Sequence, residues 1–112
     1  MHELGIAAAI LEQAQGAREG AGRLARVGVR VGALSGVDPD ALRFGFDVLA
    51  RDADPRGIAL DVERVEHRRR CESCGDFESP EFLAACPRCG STGTTLLAGD
   101  ELVLAWVEVE EP

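Results

Sequence analysis

A chain of 112 residues, 46% apolar, is long enough for one compact domain or for a small domain carrying a metal-stapled module. No apolar run approaches the roughly 20 residues a membrane span requires. The net charge of −8, from twelve arginines, no lysine and twenty carboxylates, opposes binding to a phosphate backbone.

Neither a charged n-region nor an apolar h-region precedes the first amphipathic segment, so the expectation is a soluble cytosolic protein with neither membrane nor nucleic acid as partner. His2 is one of two histidines. With Met1 retained, the Met1 amine, the His2 amide nitrogen and the His2 imidazole Nδ1 close two fused chelate rings, and the Glu3 amide or carboxylate offers a fourth donor. Nitrogen-rich planar sets suit Ni(II) or Cu(II). The bland alternative is an ordinary histidine at position two.

Residues 4–19 place Leu4, Ala7, Ala8 and Leu11 on one helical face, widened by Ile6 and Ile10. Glycines at 16, 20 and 22 mark the exit. From Arg23 to Ala33 the period falls to two: Val27, Val29 and Val31 on one face of a half-buried strand, and Arg26, Gly28, Arg30 and Gly32 on the other. Asp38-Pro39 then reads as the cap and first position of a second helix. That helix carries Ala41, Leu42, Phe44, Phe46, Val48 and Leu49 as a broad apolar face and ends before Asp54-Pro55. A second strand alternates through Ile58, Leu60 and Val62, with Asp61 and Glu63 outward. His67 follows at the strand's end, where it reads as half-exposed. Arg68-Arg69-Arg70, the one basic run, reads as a solvated strand end.

Cys71-x-x-Cys74 and Cys86-x-x-Cys89 come next. Each pair puts two thiolates on one tight turn, and two such turns make the tetrahedral four-sulfur set zinc prefers; rubredoxin-like iron, a redox dithiol and two disulfides are the alternatives. In a reducing cytosol the disulfides rank behind metal. Gly75 and Gly90 let the backbone turn after each pair, and Pro87 stiffens the second. Four sulfurs leave zinc no open position, so the site is structural. Phe77, Phe82 and Leu83 are too little apolar material to fold residues 68–95 alone, and the metal must supply stability on the order of 10 kcal/mol. The last element, residues 100–110, is apolar on both faces from Leu102 to Val107 and should return to the main sheet.

The expected fold class is therefore α+β: two helices packed on a small three-stranded sheet, with a four-cysteine zinc-ribbon module inserted before the last strand. Residues 1–67 plus 99–112 would form one domain and residues 68–98 the zinc module.

Met1-His2-Glu3-Leu4 ahead of an amphipathic helix, the run Val31-Gly-Ala-Leu-Ser-Gly-Val-Asp38-Pro-Asp-Ala-Leu-Arg-Phe44, and the paired motifs ending Cys86-Pro-Arg-Cys-Gly90 carry a resemblance over nearly the whole chain. The chain resembles the HypA/HybF hydrogenase maturation nickel chaperones. The resemblance implies no enzyme but a cytoplasmic metallochaperone. It would deliver nickel to the [NiFe] hydrogenase large-subunit precursor together with a nickel-binding GTPase of the same pathway. Carried over, His2 with the backbone of Met1 and Glu3 is the nickel site, and Cys71, Cys74, Cys86 and Cys89 are zinc ligands. Asp38 lies where some members bear an acidic residue near nickel, yet its place before Pro39 explains it as a cap. His67 is the one histidine near the zinc module, and a strand residue before a ligand. Urease as a second client and a homodimer stay open. The rival function is a zinc-ribbon protein-binding module with no role for nickel.

Overall fold

The computed structural model describes residues 2–18, 20–80 and 85–111. Its elements in chain order are α1 (Glu3–Ala17), β1 (Arg23–Gly32), α2 (Pro39–Ala53), β2 (Ala59–Val65), β3 (Arg68–Cys71), β4 (Gly75–Glu78), β5 (Thr95–Ala98) and β6 (Leu102–Glu110). The architecture is the expected α+β one, with two helices and the three-stranded sheet β2-β1-β6. A second three-stranded sheet, β4-β3-β5, ends its middle strand on Cys71, and the other three cysteines lie in its connections. The chain divides into two compact units: residues 1–30, 36–63 and 103–112 in the first, residues 31–35 and 64–102 in the second.

In the first unit the buried apolar side chains come chiefly from α1 (Ala7, Ile10, Leu11, Ala14), α2 (Leu42, Phe46, Ala50) and β1 (Leu24, Val27, Val29). Three details differ from the sequence reading. The buried face of α1 is Glu3, Ala7, Ile10, Leu11 and Ala14, rotated from the expected set, while Leu4 and Ala8 are exposed. An alanine-rich helix gives its apolar pattern little contrast, and a carboxylate on the inner face is tolerated because it is hydrogen-bonded. The face of α2 is narrower than expected, since Phe44 and Val48 point outward. On the far side of β1, Gly28 is buried as well: a side chain there would run into the indole of Trp106 on β6, so the missing Cβ makes room for the ring. Around it the arginines of β1 are laced to the edge strands, Arg26 to Asp61 at 2.9 Å and to Glu108 at 3.7 Å, and Arg30 to Glu63 at 3.3 Å. No residue of β6 is fully buried, because it is an edge strand with half-covered side chains.

In the second unit β3 pairs antiparallel with β4 (Arg68 opposite Glu78, Cys71 opposite Gly75) and with β5 (Arg70 opposite Thr95, Arg68 opposite Ala98), with an irregularity between Arg68 and Arg69. The basic run is thus itself a strand, with alternate residues facing opposite ways. Arg69 turns inward and donates to Thr94 Oγ1 at 2.7 Å and Thr94 O at 2.8 Å, while Arg70 pairs outward with Asp76 at 2.7 Å. Two of its three guanidinium groups are therefore occupied within the fold. His67 is not half-exposed but 1% exposed. It sits between β2 and β3, with its Nε2 3.4 Å from Arg69 Nη1 and its carbonyl accepting from the Ser79 amide at 2.9 Å. Packing of this kind marks a structural residue.

Candidate metal centre

The first Cys-x-x-Cys is the turn of the β3–β4 hairpin. Cys71 ends β3, Gly75 begins β4 opposite it, and residues 72–74 turn between them. Gly75 stands at φ +91°, a left-handed conformation a side chain would resist, and Gly90 after the second pair at φ +75° repeats the device. The second knuckle is closed by the Gly90 amide donating to Cys86 O at 2.8 Å and the Cys86 amide to Ser91 O at 2.9 Å. A further link joins the knuckles: Arg88 donates to Asp76 O at 3.3 Å.

These two turns bring all four sulfurs within 4.8 Å of one another, with Cys71 and Cys89 Sγ 3.6 Å apart. A tetrahedral ion with bonds of about 2.3 Å wants sulfur–sulfur edges of about 3.8 Å, so the donor set fits zinc. Cys71 and Cys86 are buried, Cys74 is half-buried and Cys89 exposed. Phe77 packs against Cys71, Cys86 and Cys74, which makes it part of the knuckle's wall. Phe82 and Leu83 lie outside the described residues.

Electrostatics point the same way. The backbone amides of Cys89 and Arg88 donate to the Cys86 sulfur and lower its pKa to about 6. Cys74, hydrogen-bonded with Cys86, partly desolvated and close to Cys89, is pushed up to about 12. Cys86 is therefore prepared as a thiolate while Cys74 is held protonated, and a divalent cation between them would lift that frustration by taking both as thiolates. No other group of three or more His, Cys, Asp or Glu among the described residues converges in this way.

The amino-terminal candidate is built differently. His2 occupies the N-cap position of α1, is exposed, and makes no capping hydrogen bond with its side chain, while its carbonyl accepts from Ile6 at 3.0 Å. Met1, whose amine was the expected donor, lies outside the described residues. Glu3 is buried at 7% exposure, and its Oε2 accepts from the Asp38 amide at 3.1 Å. That hydrogen bond ties the first turn of α1 to the start of α2 and turns the carboxylate into the protein. The sequence, where Glu3 offers its backbone or a fourth donor, carries no signal of this role.

The Asp38 amide holds the Glu3 carboxyl below its ordinary value of 4.5. A lowered folded-state pKa contributes stability above the ordinary value and loses it as pH falls through the lowered one. Glu3→Gln should flatten the dependence of melting temperature on pH from 5 downward relative to wild type, and parallel curves would contradict the role given to this bond.

Asp38 is a helix cap: its Oδ1 accepts from the Asp40 amide at 3.0 Å and the Ala41 amide at 3.4 Å. Asp38→Ala should cost about 1 kcal/mol of stability, and Asp38→Asn, which caps equally well, should retain it in thermal melts. A loss in the Asn variant as large as in the Ala variant would contradict the capping role.

The chain is similar to known proteins along its whole length. A family model described as "Hydrogenase/urease nickel incorporation, metallochaperone, hypA" matches residues 1–109. The hydrogenase maturation factor HypA of Chlorobium limicola is 38% identical over 99% of this chain and 98% of its own. That of Synechococcus sp. is 39% identical over 97% and 99%, and that of Geobacter metallireducens 38% over 98% and 100%. Among solved structures, the solution structure of the Ni metallochaperone HypA from Helicobacter pylori aligns over all of both chains with a TM-score of 0.59 at 21% identity, a likeness of fold.

Proposed function

The chain belongs to the HypA family of nickel-incorporating hydrogenase maturation metallochaperones, which are not enzymes, and on that premise we propose how it carries its cargo. Ni(II) binds at the amino terminus, to the Met1 amine, the His2 amide nitrogen, the His2 imidazole and the Glu3 backbone. Zinc is held by Cys71, Cys74, Cys86 and Cys89. Nickel passes in the cytoplasm, with a nickel-binding GTPase, to the hydrogenase large-subunit precursor.

The observation that carries the reading is the contrast between the two histidines. His67 is buried in the fold, whereas His2 is exposed at the start of a helix whose first turn is fixed by the Glu3–Asp38 bond. A cargo site has to be accessible to the protein that empties it, and a fixed first turn gives His2 a settled base. Zinc serves the second unit by replacing core, since the buried apolar set there is little more than Phe77 and two of the cysteines. Metal analysis of protein with a native, untagged amino terminus tests both assignments. One zinc per chain as purified and one further nickel after nickel addition is the expected result. Zinc alone, with no uptake of nickel, would leave a zinc-ribbon binding protein.

A further inference from the structure

An edge strand leaves one side of its backbone without a strand partner, and proteins guard such edges with charges, prolines or bulges. The sheet β2-β1-β6 has two edges, and they are treated differently. Strand β2 carries Asp61, Glu63 and Arg64 within its seven residues, and Asp61 and Glu63 take up the arginines of β1. Strand β6 runs from Leu102 to Val107 with no charge, no proline and no glycine. Within that run Trp106, the one tryptophan of the chain, is 42% exposed on the face it shares with Gly28, and Val103 is 44% exposed on the opposite face, the one toward the helices. A helix or a small molecule laid on the sheet would cover one of these side chains and leave the other in water. A strand added to β6 covers both, because its own side chains alternate between the same two faces.

Charge decides which strand. Residues 99–112 hold Asp100, Glu101, Glu108, Glu110 and Glu111 and no basic residue. Glu108 and Glu110 lean on Arg26 and Arg23, yet keep 61% and 56% of their side chains exposed. A second copy paired antiparallel about the apolar run would set Glu108 of each chain against Asp100 and Glu101 of the other, and like charges placed opposite one another work against pairing. An apolar strand that ends in lysine or arginine meets the same groups favourably.

We propose that β6 is the site at which another protein adds an extended apolar segment, ended by lysine or arginine, as a fourth strand of the sheet. Main-chain hydrogen bonds to the open edge supply the affinity, and contacts with Val103 and Trp106 select apolar side chains at alternate positions. The proposal stands apart from the nickel reading of His2 and holds whether or not that reading does.

The test uses the full-length, zinc-loaded protein and a synthetic peptide of about nine residues, the length of β6, in which valine and threonine alternate between lysine ends. The peptide has no aromatic residue, so Trp106 fluorescence reports its arrival. A saturable blue shift is expected, weakened by salt and lost when the peptide ends in glutamate instead. Two further peptides carry methyl groups on one or the other alternate set of backbone amides. An added strand turns only one set toward β6, so one of these peptides should bind at least tenfold more weakly and the other like the parent. Val103→Lys and Val103→Glu should both bind the parent peptide at least tenfold more weakly by calorimetry, since either charge would be trapped in the extended sheet, with zinc content and melting temperature as in wild type. Tighter binding by Val103→Glu would mean charge attraction without strand addition and would overturn the proposal, as would equal binding of the two methylated peptides. Absence of any fluorescence change up to about 1 mM peptide would overturn it too. So would sedimentation showing a wild-type dimer that Val103→Lys dissolves, because the occupant would then be a second copy.

Discussion

Replacing Cys86 by alanine should release the zinc and unfold the second unit, leaving α1 and α2 folded. Cys86 is the cysteine with the most to lose: it is 2% exposed, it packs on Phe77, and its sulfur receives the amides of Cys89 and Arg88. Among the described residues of the ribbon the buried apolar cluster consists of Cys71, Phe77 and Cys86, with Cys74 against it. Against that stands the chain entropy of three strands of four residues each and their loops. Metal binding worth on the order of 10 kcal/mol dominates such a balance, and no hydrogen bond of the knuckles comes near it. Zinc stoichiometry should fall from one to near zero. Amide exchange should become fast across β3, β4 and β5 while the centre of β1, with Val27 and Val29, stays protected. Cys89→Ala should lose metal too, although Cys89 is exposed, because three sulfurs remain in either case. Stoichiometric zinc with native melting in either variant would refute the four-sulfur assignment.

How much of this was legible beforehand follows the strength of each local signal. Strand β1 and both helices announce themselves by period, and the cap of α2 by the pair Asp38-Pro39, because in each case one residue type answers one geometric demand. The cysteine pairs are legible for the same reason: a tetrahedral ion requires that spacing, and it converges in the fold as the spacing implies. The second sheet was not legible. Three of the four residues of β3 are arginines, and its pairing is set by a metal turn and by cross-strand contacts such as Arg70 with Asp76, which carry no hydrophobic period. Burial of Glu3 and His67 was hidden because each is satisfied by a group distant in sequence or on the following strand, Glu3 by the Asp38 amide 35 residues away. The outward turn of Phe44 was hidden for the opposite reason. Composition reports that a side chain is apolar, not whether its partner is inside the chain or outside it.

The largest functional effect should come from the smallest chemical change, the conversion of one amine to an amide. A donor set that includes the Met1 amine demands a free terminus, whereas a site made of side chains alone would be indifferent to residues placed ahead of it. A Gly-Ser extension before Met1 leaves His2, the Glu3–Asp38 bond and the four cysteines untouched, so zinc content and melting temperature should not move. His2→Ala removes the imidazole from the other end of the same chelate, and the exposed N-cap position with no side-chain capping bond means the helix should lose little by it. Both changes should weaken nickel binding and hydrogenase maturation together. Binding also displaces protons from the amine and the amide. Affinity should therefore decline as pH falls below the ordinary α-amine value of about 7.7–8.0, more steeply than a lone imidazole would require. Calorimetric nickel titration of the native, extended and His2→Ala proteins at pH 8 and pH 6.5 decides the matter. The native protein should show one tight nickel site, weakened at the lower pH and lost or greatly weakened in both variants, with one zinc retained throughout. Equal nickel affinity in all three would contradict it.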